Sequence, residues 1–161
     1  INIGKALIMD TVRRANSGHT GGPLSSFDFA YVLFKDFLKF DPNNPDWFDR
    51  DRFVLSIGHE SALLYTMLTF IGWLDIEDLK SFRQYGSKTP GHPERGLTPG
   101  VEATTGPLGQ GVGNAVGMAI SETILQQTFG KDIINHYTYV LHGDGDIQEP
   151  VAQQKLKPKE L

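Results

Sequence analysis

The stretch HYTYVLHGDGD, residues 136–146, does most to decide the fold. Its first half is rich in aromatic and β-branched residues, which favour a β-strand, and glycine follows at the end of that run. Asp144 then stands between two glycines. In open parallel sheets ligands bind at the carboxyl ends of strands, and flanking glycines leave room there for a diphosphate. The stretch therefore predicts either a metal-bound phosphate site or an Asp-Gly turn that simply ends a strand.

Outward from this strand, helical and strand-like segments alternate. A second, short buried strand is predicted at Phe53 to Ser56, and the stretch Tyr85 to Thr105 is too rich in glycine and proline for regular structure. Apolar residues at helical spacing predict helices at 1–16, 27–40 with Ser26 as N-cap and Asp41-Pro42 as its end, 60–71, 76–84 with Asp75 as N-cap, and 106–129 after a glycine-rich turn. This alternation predicts an α/β fold with a mainly parallel sheet.

Composition narrows the class of protein. The chain has 161 residues, 39% of them hydrophobic, which matches one ordinary domain with a sizeable core. The net charge of −4 comes without a long run of either sign, so we expect no nucleic-acid partner. No stretch reaches the ~20 apolar residues of a membrane span, and the N-terminus has no basic region, apolar run and cleavage site in series, so we expect no membrane partner. The absence of cysteine fits a reducing cytosol but equally allows other compartments, so cytoplasmic is only our default expectation.

Three of the five histidines follow a glycine: His19, His59 and His92. A histidine in such a position has an accessible imidazole, with a pKa near neutrality that suits hydrogen bonding or proton transfer. Each could equally be an ordinary loop or capping histidine. No pair has the short spacing of a structural zinc site, and no cysteine assists.

The glycines at positions 106, 109, 111 and 113 precede a predicted helix. Such a run can turn backbone N–H groups toward an anion at the helix N-terminus, or can serve only tight turns and helix packing. It lacks the preceding strand of a dinucleotide fingerprint and the Lys-Ser/Thr ending of a P-loop. Gly113 and Gly117 share a helix face, which predicts close approach of another backbone there.

The segment after Asp144 contains a second acidic residue of interest, Glu149. Pro150 suits the first position of a helix, which would place Glu149 at the mouth of a short helix. The carboxylate there is either buried and functional or merely solvated. Residues Lys155 to Leu161 are predicted to form a polar tail.

Together these stretches resemble the N-terminal, diphosphate-binding domain of transketolase, a thiamine-diphosphate enzyme. The resemblance rests on five motifs in the family's order: SGHTGGPLS (17–25), DRDRFVLSIGHESALLY (49–65), FRQYGSKTPGHPE (82–94), GVEATTGPLGQGVGNAVGMA (100–119) and HYTYVLHGDGDIQE (136–149). It implies a doubly wound sheet with helices on both faces and a homodimer with the cofactor at the subunit interface. It also implies transfer of a two-carbon ketol unit between sugar phosphates in the pentose phosphate pathway.

The resemblance further implies roles for individual residues. Three histidines would line the substrate channel, hydrogen-bond sugar hydroxyls and assist proton transfer: His19, His59 and His92. The implied contacts to thiamine diphosphate are His59, Gly106, Pro107, Leu108, the Gly145 backbone N–H and Glu149, the last as part of an acidic cluster at the dimer interface. Asp144 would ligate the Mg²⁺ or Ca²⁺ that holds the diphosphate.

The sequence also departs from the family pattern. The family pairs its GDG motif with a downstream asparagine, and we expect that second metal ligand and the cofactor-activating domain to lie beyond Leu161 or on another chain. Pro150 replaces the usual glycine after the motif's glutamate. We therefore expect residues 1–161 to form an incomplete N-terminal part of the domain, inactive alone and prone to aggregate. Alternatives are a shortened, non-catalytic binding module, a split subunit, or a related enzyme such as dihydroxyacetone synthase.

Overall fold

A computed structural model describes residues 1–156. Within these residues two β-strands are surrounded by helices and one long loop. The α-helices are α1 (Asn2–Ala15), α2 (Gly21–Val32), α3 (Ser61–Phe70), α4 (Ile76–Lys80), α5 (Gln110–Phe129), α6 (Asp144–Gln148) and α7 (Pro150–Leu156). The strands are β1 (Arg52–Leu55) and β2 (Thr138–Leu141), and the short helices are a π-helix (Leu33–Phe37) and a 3₁₀-helix (Gly58–Glu60).

The two strands are parallel neighbours, as the sequence predicts. Phe53 pairs with Tyr139, and Leu55 with Leu141. The connection between them contains α3, α4, the long loop and α5. Since both strands run in one direction, the turns that follow them lie at the same edge of the sheet.

Helices cover both faces of this sheet. Side chains alternate across a strand, and Val54 packs with Ala115 and Met118 of α5 and with Val140 of β2. The opposite face joins the main core, which draws side chains from α1 to α4 and from both strands, among them Ile8, Phe27, Phe53, Leu55, Tyr65, Leu79, Tyr139 and Leu141. The fold is therefore the predicted doubly wound α/β arrangement.

The predicted boundaries of α2 are wrong at both ends. The helix begins at Gly21, so Ser26 lies inside it and Thr20 is the N-cap. Pro23 tolerates this position because the first-turn N–H groups of a helix have no intrahelical partner. At its other end α2 passes into the π-helix, where the Leu38 N–H donates to Leu33 O at 2.8 Å. Leu38 is extended, so helical structure ends before Asp41-Pro42.

Two further expectations need correction. The helix predicted at 76–84 ends at Lys80, although Asp75 does form its capping box. It stops because the Arg83 N–H donates to Thr89 O instead of continuing the helix. The close approach expected on the Gly113–Gly117 face is not found at Gly117, which has no neighbouring atom within 4 Å of an added Cβ. Gly111 of the same helix does approach a backbone closely, since its added Cβ would lie 2.5 Å from Ser56 Cα.

The remaining expectations concern the last described residues of the chain and the absence of a membrane span. Pro150 is the first residue of α7, as predicted. The predicted polar tail continues past Leu156 into residues outside the described part. Between residues 1 and 156, none of the helices combines the length and apolar character that crossing a bilayer requires.

Candidate functional site

The three glycine-preceded histidines come from separate segments and meet at one place. His19 lies between α1 and α2, and His59 lies in the 3₁₀-helix directly after β1. Their ring centroids are 5.0 Å apart. His92, from the long loop, packs on Gly106, where an added Cβ would lie 3.3 Å from His92 Cγ. His19 and His92 are exposed and His59 is half-buried, so all three imidazoles are accessible.

Two side chains of α3 fix the loop that carries His92. Ser61 Oγ donates to Gly91 O at 2.8 Å, and Tyr65 Oη donates to Pro90 O at 2.9 Å. Burial, with a contribution from Glu94, raises the pKa of Tyr65, so the phenol remains a hydrogen-bond donor. The segment just before His92 is thus anchored to a buried helix despite its irregular backbone.

The environment favours neutral imidazoles at this place. Burial lowers the pKa of His19, and the nearby charges of His59 and Arg83 lower it further. Burial also lowers the pKa of His92, with added effects from Arg83, His59 and His19. A neutral imidazole has one donor and one acceptor nitrogen. His19 and His92 can therefore accept a proton or hydrogen-bond a hydroxyl at neutral pH.

The glycine-rich turn before α5 rests on the end of β1. Thr105 Oγ1 donates to Leu55 O at 2.8 Å. Gly58 permits this contact, since an added Cβ would lie 2.7 Å from both Gly106 N and Thr105 Oγ1. Gly106 has a φ of +145°, a conformation that favours glycine. The backbone beside the histidines is therefore held closely against the strand end.

The N-terminus of α5 is held by two side chains. Val112 N donates to Ser56 Oγ at 3.0 Å, and Gly109 N donates to Asp146 Oδ1. Asp146 is 1% exposed, and among residues 1–156 its other oxygen has no hydrogen-bond partner. The N-terminus of a helix carries a partial positive charge, and here a carboxyl group of the protein itself lies against it. The same contact joins the turn at residue 109 to the GDGD turn after β2.

The acidic residues after β2 divide into exposed and packed ones. Asp144 is exposed at the start of α6, and Gly145 has open space around it, with no atom within 4 Å of an added Cβ. Glu149 is half-buried and packs on Gly109, where an added Cβ would lie 2.8 Å from Glu149 Cβ. Within the described residues no group of three His, Cys, Asp or Glu side chains could hold a metal ion. Asp144 can therefore offer a metal one carboxylate.

Comparison with known proteins decides the family. The family model described as "Transketolase, thiamine diphosphate binding domain" matches residues 1–157. The chain belongs to the transketolase family. It is 55% identical over 154 residues to transketolase of Bacillus subtilis (strain 168) and 56% identical over 154 residues to transketolase 1 of Escherichia coli (strain K12). These alignments cover 93% of this chain and 23% of each relative.

Solved structures of the family agree with the fold. Transketolase from Leishmania mexicana superposes with a TM-score of 0.94 at 52% identity, covering 96% of this chain and 24% of that one. Transketolase from Campylobacter jejuni gives a TM-score of 0.90 at 51% identity, with the same two coverages. The chain thus spans about a quarter of the length of these transketolases.

Several residues that build this transketolase-family site were missed by sequence reasoning. Ser56, Thr105 and Asp146 act through hydrogen bonds between segments far apart in the sequence. The sequence does contain a signal for Asp146, because it is the second of the two aspartates in the GDGD turn. Gly58 was noticed only as the neighbour of a histidine. Arg83 carried no recognisable signal.

Proposed function

We propose that this chain is the N-terminal part of a thiamine-diphosphate-binding domain in an enzyme that transfers a two-carbon ketol unit between sugar phosphates. Membership of the transketolase family supports the reaction class. The observation that carries the proposal is the convergence of His19, His59 and His92 beside Gly106 at the carboxyl end of a parallel sheet. Ligands bind at this position in open α/β sheets.

The residues present fit a diphosphate held by a divalent cation. Asp144 offers an exposed carboxylate, and Mg²⁺ commonly takes one or two carboxylates together with phosphate oxygens and water. Gly145 has the open space that close approach of a phosphate to the backbone requires. We assign Mg²⁺ or Ca²⁺ to Asp144 and the cofactor contacts to His59, Gly106, Pro107, Leu108, Gly145 and Glu149.

When bound, thiamine diphosphate would supply the carbon nucleophile that takes up and releases the two-carbon unit. The chain's own part is binding, orientation and proton transfer. His19 and His92, whose pKa values are lowered by partial desolvation and by nearby charges including Arg83, can hydrogen-bond substrate hydroxyls and accept or return a proton. The rings of His59 and His19 contact each other, with centroids 5.0 Å apart, so a substrate that reaches one ring lies close to the other.

A second polypeptide segment is part of the proposal. The chain covers 23% of its curated relatives, and α5 leaves large apolar side chains exposed, namely Ile120, Ile124 and Phe129. Exposed apolar groups clustered on one helix are typical of a surface that another segment covers. We therefore propose a homodimer or a complementary chain that completes the site.

An enzyme assay tests this function. The protein, in the full length that its gene encodes, should transfer a ketol unit from xylulose 5-phosphate to ribose 5-phosphate only with thiamine diphosphate and Mg²⁺ present. Asp144→Ala should weaken Mg²⁺-dependent cofactor binding by at least about 10-fold, since even outer-shell metal partners are worth 10–100-fold. Asp132→Ala, a change at an exposed aspartate away from the site, is the matched control. Cofactor-independent transfer, or no transfer at all, would contradict the proposal.

A non-catalytic binding module is the second candidate. Its motivation is that Asp144 is the one exposed carboxylate of the GDGD turn, and that no three metal-binding side chains cluster within the described residues. Calorimetric titration of the 161-residue chain with thiamine diphosphate and Mg²⁺ separates the readings. Micromolar binding of thiamine diphosphate would contradict the second candidate, in which the glycines serve folding alone and the chain does not hold the cofactor.

A further inference from the structure

Arg83 has an unusual backbone in the segment before His92. Its φ is 59°, and among residues 1–156 only Asn16 is another non-glycine residue with positive φ. A non-glycine residue in this region is strained, and it keeps that backbone only where its surroundings fix it. Here the surroundings do so, because the Arg83 N–H donates to Thr89 O at 2.9 Å. The turn directs the side chain of Arg83 to the histidine segments.

The guanidinium of Arg83 contacts two of those segments at once. Arg83 Nη1 donates to Ser17 Oγ at 2.9 Å, two residues before His19. Gly91, the residue before His92, lies against the same group, since an added Cβ would be 3.1 Å from Nε and 3.2 Å from Cζ. A side chain at position 91 would require the guanidinium or the loop to shift by a few tenths of an ångström. One planar cation thus connects Gly91 of the long loop with Ser17, which lies 66 residues before Arg83 in the sequence.

The charge of Arg83 acts on the same histidines. After burial, Arg83 is among the groups that lower the pKa of His19 and of His92. The other groups acting on them are histidines, namely His59 on both and His19 on His92. The nearby Glu60 is buried and its pKa is raised by that burial, which favours its uncharged form. No carboxylate among the groups acting on His19 or His92 offsets the guanidinium.

We propose that Arg83 is a positioning residue that fixes the separation of the His19 and His92 segments and sets a positive charge beside both. Its catalytic meaning rests on the proposed function, whereas its effect on the two imidazoles does not. Direct binding of a substrate anion is the competing role for an arginine here. The contacts favour positioning, because Nη1 is bonded to Ser17 and the guanidinium lies close beside Gly91.

Histidine titration by NMR tests the electrostatic part without any assay of activity. In the full-length protein, Arg83→Met should raise the pKa of both His19 and His92, with signals assigned through His19→Gln and His92→Gln. Arg83→Asn removes the same charge and tolerates the left-handed backbone, so it serves if Arg83→Met does not fold. Arg83→Lys should leave both pKa values low, since the charge remains. Arg13→Met, at an exposed arginine of α1, is the matched charge control and should leave both histidines unchanged.

Kinetics test the positioning part. Arg83→Met should lower kcat about 10- to 100-fold, as misplacement of reacting groups by ~1 Å can cost 10²-fold. The acidic limb of its pH–rate profile should move to higher pH, and Arg83→Lys should restore that limb but not the full kcat. Unchanged titration of both histidines in Arg83→Met would overturn the proposal. A rise in KM for the sugar phosphate at constant kcat would overturn it in favour of anion binding. If the parent protein shows no transfer, the proposed function fails while the titration still decides the role of Arg83.

Discussion

Replacing Gly111 by alanine gives a sharp test of how α5 is seated on β1. An added Cβ at position 111 would lie 2.5 Å from Ser56 Cα and 2.7 Å from Ser56 Cβ and Oγ. Ser56 is fully buried after the strand, so neither side can yield cheaply. Overpacking of this kind costs about 1–3 kcal/mol. Alanine regains at most ~1 kcal/mol of helix propensity, and position 111 is in the first turn, so we expect a net loss of about 1–2 kcal/mol.

Gly117 in the same helix is the matched control. No atom lies within 4 Å of its added Cβ, so Gly117→Ala should stabilise α5 by about 0.5–1 kcal/mol. Hydrogen–deuterium exchange of peptides from α5 measures both effects locally. A difference of about 2 kcal/mol between the variants corresponds to about 30-fold in protection, since 1.4 kcal/mol is tenfold. Equal protection in the two variants, or greater protection in Gly111→Ala, would refute the close seating of α5 on Ser56.

Two other side chains give predictions of opposite character. Asp146→Ala leaves the buried Gly109 N–H without an acceptor, so it should lower the free energy of unfolding by about 1–3 kcal/mol. Urea denaturation measures this loss. Asp144→Ala is the control, because Asp144 is exposed and its substitution should cost little stability. Burial raises the pKa of Glu60 above its ordinary value of 4.5, partly opposed by a hydrogen bond with Ser26. The contribution of Glu60 to stability is therefore fully present below pH 4.5 and is lost as pH rises through the raised pKa. Glu60→Gln should remove this loss, so its stability relative to the parent should increase from pH 4 to pH 8; a constant difference would show that Glu60 does not ionise in this range.

The sequence was sufficient for the elements with strong local signals. Aromatic and β-branched residues predicted β2, and apolar periodicity predicted α1 and α3 to within two residues. The start of α2 is not evident from the sequence because glycines such as Gly21 and Gly22 usually interrupt helices, whereas Thr20 and Pro23 form an acceptable first turn. The π-helix depends on packing of Leu33 and Phe34 in the core, which no local pattern reveals.

The site was predictable only in its histidines and glycines. Glycine before histidine is a local pattern, and the structure brings His19 and His59 together from such patterns. The roles assigned to them, and to Asp144 and Glu149, remain predictions. The glycine run predicts that an anion can bind at the N-terminus of α5, but it does not reveal that Asp146, 37 residues away in the sequence, accepts a hydrogen bond from Gly109 N there. Contacts of that range follow from the fold and cannot be read from a neighbouring motif.

The alternation of β1 between two cores constrains how the length of this chain can change in evolution. Phe53 and Leu55 face one core while Val54 faces the other. A single-residue insertion or deletion before Val54 would exchange the two faces, sending phenylalanine toward α5 and valine toward α3. Such a change would disturb both cores in one step, so variation in length should be excluded from β1. It should collect instead in the exposed turns of the long loop, such as those at Gly86 and Gly96, where nothing packs within 4 Å of an added Cβ.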